Sequence, residues 1–125
     1  MQKKVLITIK MLAGLMLIVF GSNKFFGFLE MSPGTLEMGI VMKALFSTGY
    51  MMQLIAAIEI AAGLAFILNK YVALMAVVLL PVMLNALLMH FFLDPAGIGG
   101  SAMLTAMTLI IMFDERSRYQ KILKP

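Results

Sequence analysis

One carboxylate constrains the chain more than any other residue. Glu59 lies near the middle of the run Tyr50 to Leu68, which is apolar apart from Gln53 and Glu59 itself. A run of that length is enough to cross a bilayer. A charge at that depth costs at least about 2.5 kcal/mol even on lenient insertion scales. Ala56 and Gly63 fall close to the same helix face as Glu59. That face is small and polar, so it should turn toward other helices and away from lipid. The remaining spans must therefore supply a housing for it.

Composition agrees that bilayer is the solvent. Of the 125 residues 62% are hydrophobic and 13% charged, against roughly 45–50% apolar and about 25% charged in soluble domains. One domain of membrane-spanning helices is expected. The absence of cysteine excludes disulfides, thiol redox pairs, cysteine-held metals and iron–sulfur clusters. A single histidine and no Glu-x-x-His pattern leave neither paired haem ligation nor a metal site to expect. The net charge of +4 comes from basic residues placed mainly at membrane boundaries, so topology accounts for it and nucleic acid is not an expected partner.

The pattern predicts an all-α integral membrane four-helix bundle, residues 1–125, with spans at about 5–22, 50–68, 71–92 and 99–113. Lys3 and Lys4 before an apolar run resemble a signal peptide, but no Ala-x-Ala site follows, so the first span is expected to be retained. Between spans one and two, a short amphipathic helix is expected at about 35–46. Ser32-Pro33 or Thr35 would start it, Glu37 suits its first turn, and Leu36, Ile40, Ala44, Val41 and Leu45 would form its apolar side. Pro81 falls inside span three, where a kink is expected. Asp94-Pro95 marks the turn after it, and the tail from Asp114 reads as charged and exposed. With four spans both termini share a side. Seven basic residues (Lys3, Lys4, Lys70, Arg116, Arg118, Lys121, Lys124) then face Lys24 and Lys43 across the membrane, which makes the terminal side cytoplasmic.

Span one carries the second informative pattern. Lys10, Gly14, Leu17, Gly21 and Lys24 are spaced 4, 3, 4, 3 and lie on one helix face. The glycines permit close approach of a neighbour, and each lysine could snorkel to a surface or pair inward. Depth alone places Asn23, Lys24, Gln53, Glu59, Asn85, His90 and Thr105 in or near the outer half. This is the candidate polar cluster, with Lys10 nearer the inner surface. If Glu59 is ionised, Lys10 or Lys24 is its expected partner; if neutral, Asn85 is.

Several blocks together resemble the DoxX family: Lys10-x-x-x-Gly14, Phe20-Gly-Ser-Asn-Lys-Phe25, Gly49-Tyr-Met with Glu59-Ile-Ala-Ala-Gly63, Asn69-Lys-Tyr71, and Pro81-Val-x-x-Asn85 with His90. The resemblance covers nearly the whole chain. It implies a small four-helix membrane protein of a mostly bacterial family. Some relatives are small subunits of a thiosulfate:quinone oxidoreductase and others associate with redox or oxidative-stress proteins. The family's basic residue in span one maps to Lys10, its span-end lysine to Lys24 and its acid to Glu59. Redox-active relatives can use cysteines, which this chain lacks.

Three functions are compatible with these residues. The first is a non-catalytic accessory subunit of a larger membrane complex, respiratory or redox, with glycines and alanines on a lipid-facing side meeting the partner. The second is a quinone-binding subunit of an oxidoreductase, with quinone as the cofactor, Glu59 or His90 moving the proton and Lys24 or Asn85 polarising the oxygen. The third is transport of a small solute or protons by a homo-oligomer. No intrinsic cofactor is expected.

Overall fold

The computed structural model describes residues 2–31 and 34–125. Ser32-Pro33 therefore lies outside the described residues. The chain is all-helical, with no strand among the described residues: α1 Lys3–Phe26, α2 Leu36–Ser47, α3 Met51–Leu68, α4 Val72–Leu93, α5 Gly99–Asp114 and α6 Arg116–Tyr119, with a 3-10 turn at Pro95–Gly97. Three of them, α1, α3 and α4, are long and apolar enough to cross a membrane. At 1.5 Å per residue the 16-residue α5 is about 24 Å long, shorter than a typical hydrocarbon core.

Helix ends follow local chemistry. α1 runs past the expected end at 22 because nothing breaks it before Gly27, which adopts the left-handed conformation (φ 62°) and donates its N–H to Asn23 O. Thr35 caps α2, its hydroxyl accepting from Met38 N at 3.2 Å. The same hydroxyl donates to Leu93 O, which pins the start of α2 to the end of α4. α3 stops at Asn69, also left-handed (φ 54°), a conformation asparagine tolerates. Pro81 lies within α4, and the helix continues through it.

The most extensive packing is α1 against α3, followed by α4 against α5 and α3 against α4, with α1 meeting α5 more sparsely. The interior contains Ala13, Leu17, Ala62, Phe66, Ala76, Leu79 and Ile111, together with Glu59, Thr105 and Thr108. The outside carries long apolar side chains: Ile7, Leu12, Leu15, Leu54, Leu64, Leu74, Leu88 and Phe113 are all exposed. Polar groups inside and an apolar exterior invert the arrangement of a soluble protein and suit a chain solvated by lipid.

The rotation of α2 is set by tertiary contact, and the expectation for the tail is corrected. α2 turns Met38 inward, with Val41, Met42 and Leu45 half-buried, while Leu36, Ile40 and Ala44 stay exposed. The tether from Thr35 to α4 sets this rotation, a tertiary constraint invisible in the helix's own periodicity. The tail, expected to be exposed, is not wholly so. Glu115 and Tyr119 are half-buried, and Tyr119 Oη donates to Ala73 O at 2.8 Å.

Candidate functional site

Glu59 is 5% exposed, and its Oε2 accepts from Lys24 Nζ at 2.9 Å. Two helices bring these groups together because their backbones touch. A Cβ added to Gly14 would sit 2.8 Å from Gly63 O, and one added to Gly63 would sit 2.7 Å from Gly14 O. Two turns further along α1, a Cβ on Gly21 would meet Ile60 Cγ1 at 2.8 Å, Ala56 O at 3.1 Å and Glu59 Cβ at 3.3 Å. The small-residue faces of α1 and α3 are thus mated to each other. Gly14, Gly21 and Gly63 are all buried within this crossing, as expected of glycines that admit a neighbouring helix.

Lys24 supplies the partner that an acid at bilayer depth needs. A hydrogen-bonded ion pair in this setting offsets the desolvation of both charges only while both members remain. Asn23, beside Lys24, shapes the exit from α1: its side-chain oxygen accepts from Leu29 N at 2.7 Å.

The rest of the expected cluster is dispersed. Gln53 and Asn85 are exposed. The only hydrogen bond of the Asn85 side chain among the described residues is a long one from Nδ2 to Met89 Sδ, 3.5 Å, on its own helix. His90 Nδ1 lies 2.9 Å from Ala86 O, which fixes the proton on Nδ1. Thr105 joins helices: its hydroxyl lies 2.7 Å from Ser101 O and 3.3 Å from Met83 O. No hydrogen bond or ion pair among the described residues links Gln53, Asn85 or His90 to Glu59.

Lys10 belongs to a second polar group at the opposite end. Its Nζ donates to Asn69 Oδ1 at 3.2 Å and lies 3.7 Å from Glu115 and 4.0 Å from Asp114. Arg118 pairs with Glu115 at 2.6 Å. This group joins α1, the α3–α4 turn and the end of α5. The sequence reading missed Asn69, Asp114 and Glu115. The signal was present, since the depth argument used for the outer half also places Lys10 level with the 69–70 turn and the start of the tail. Two shallow clefts adjoin this end: one of about 420 Å³ lined by Leu6, Leu109, Ile110, Phe113, Asp114 and Arg116, and one of about 370 Å³ lined by Lys3, Leu6, Ile7, Lys10, Asn69 and Asp114. Among the described residues no group of three or more His, Asp or Glu side chains is arranged to hold a metal.

Tyr119 seals the same end against α4. Tyr119→Phe is expected to lower stability by about 1 kcal/mol, the usual worth of one such bond, in a denaturant melt in detergent. Burial, and secondarily the Glu115 carboxylate, hold the Tyr119 phenol above the usual tyrosine range. The unfolded chain therefore ionises first. The contribution is intact below the ordinary tyrosine value of about 10 and is lost as pH rises through the folded-state value. A tyrosinate absorbance titration of wild type against Tyr119→Phe reads this directly.

No protein-family model matches the chain, and no curated protein or solved structure matches it.

Proposed function

We propose that the chain is a four-span helical bundle of the bacterial inner membrane with both termini cytoplasmic. α2 lies along the outer surface as an amphipathic element, its exposed Leu36 and Ile40 toward lipid. In that membrane the protein serves as a non-catalytic accessory subunit of a larger complex. The respiratory or redox character of that complex rests on the resemblance to the DoxX family.

One observation carries the reading. The charged groups between α1 and its neighbours are engaged: Glu59 with Lys24, and Lys10 with Asn69 and the Asp114-Glu115 pair. A quinone site at Glu59 and His90 would need those groups turned toward a ligand. Glu59 is instead buried and turned to Lys24, and His90, oriented by a carbonyl of its own helix, makes no hydrogen bond with it among the described residues. Packing is the role that the paired charges support, and long apolar faces are what the molecule offers to neighbours.

The test is purification from native membranes in mild detergent. The expected result is co-elution with at least one other membrane polypeptide in fixed proportion. Recovery of this chain alone, as monomer or self-oligomer, contradicts the reading.

A further inference from the structure

The side of α4 opposite buried Val72, Ala76, Leu79 and Met83 is a broad exposed face that also includes Val77, Leu84 and Phe91. Leu74, Val78, Pro81, Asn85, Leu88 and Phe92 are all exposed and are spaced 4, 3, 4, 3, 4. That spacing fits the seam of a left-handed helix pair, which keeps a 3.5-residue repeat against its partner. Within the seam Asn85 stands out. It is eight residues from the end of the 22-residue α4, about 12 Å at 1.5 Å per residue. That depth lies inside a hydrocarbon core about 30 Å thick. There its amide has only the weak sulfur acceptor of Met89, and its Oδ1 accepts nothing among the described residues. A side-chain amide left in lipid is costly, so something should complete it.

We propose that a second copy of this chain completes it, through a twofold pairing of α4 against α4. Copies inserted in the same orientation relate by an axis along the membrane normal, so each seam residue meets its own counterpart at the same depth. A polar group that must face itself has to be both donor and acceptor. The asparagine amide is both, whereas a carboxylate or an ammonium would repel its twin. The seam bears no charge, and a single polar seam residue also fixes register. This pairing uses a surface separate from the α1–α3 crossing and stands whether or not a different polypeptide also binds.

The chain has no cysteine, so single-cysteine cross-linking has a clean background. In membranes, Leu88→Cys on the seam is expected to give covalent dimers of the chain on mild oxidation. Leu64→Cys, exposed on α3, is expected to give none. Adding Asn85→Leu should weaken self-association about tenfold, read as dilution-dependent energy transfer between labelled copies in vesicles, with helical content and melting unchanged. Asn85→Gln should retain most of it. Absence of a Leu88→Cys dimer, cross-linking of that position only to another polypeptide, or self-association indifferent to Asn85→Leu would overturn the proposal.

Discussion

Glu59→Gln is expected to lower the stability of the folded chain by about 3–5 kcal/mol, the cost of removing one member of a buried ion pair. The amide is nearly isosteric with the carboxylate, so packing is preserved and the loss is electrostatic. What it strands is Lys24, whose ammonium lies 2.9 Å from Glu59 and whose side chain is only 22% exposed. Lys24 sits three residues beyond Gly21, whose backbone is pressed against α3, so α1 has little freedom to carry the lysine to the surface. A denaturant titration in micelles, following helix signal and protease protection of α1, checks it. If Glu59 were merely a satisfied polar residue without a charged partner, the change would stay within about 1 kcal/mol.

Gly63→Leu is expected to separate α1 from α3. A Cβ at this position meets Gly14 O at 2.7 Å, Ile18 Cγ1 at 2.8 Å and Leu17 Cβ at 3.2 Å. The first of these is backbone and cannot rotate away. Gly63→Ala alone should cost about 1–3 kcal/mol by overpacking, and the larger side chain more. Because the same crossing sets the reach between Lys24 and Glu59, Gly63→Leu should also abolish the extra sensitivity to Glu59→Gln, leaving the two losses far from additive. Gly39→Ala on α2 is the control. A Cβ there meets nothing within 4 Å, so removing a helix-interior glycine should be neutral or stabilising by about 0.5–1 kcal/mol.

The features that share a helix face were legible in the sequence. The spacing of Lys10, Gly14, Leu17, Gly21 and Lys24 predicted one stripe, and in the structure Gly14, Leu17 and Gly21 are buried with a partnered lysine at either end. Ala56, Glu59 and Gly63 predicted the facing stripe, and all three are buried. The helix bounds also followed from apolar runs and turn residues. What depth could not supply was rotation. Asn85 was expected in the polar cluster on depth alone, yet it is exposed on α4. Composition treats an inward and an outward asparagine alike. The choice between Lys10 and Lys24 was undecidable for the same reason. It depends on where along their length α1 and α3 cross, which is fixed by backbone contact between Gly14 and Gly63. The group around Lys10 is not legible because Asp114 and Glu115 read as part of a charged, exposed tail, whereas α5 ends close enough to α1 to bring them back.

The central claim is that the Lys24–Glu59 pair holds helices together and does not act on a ligand. The most direct test is the double variant Lys24→Met with Glu59→Gln, measured beside each single variant. Removing both charges leaves neither stranded, so the double variant should recover to within about 1 kcal/mol of wild type and still co-elute with the proposed membrane partner. A double variant as unstable as Glu59→Gln alone, or one that folds fully yet loses its partner, would contradict the account.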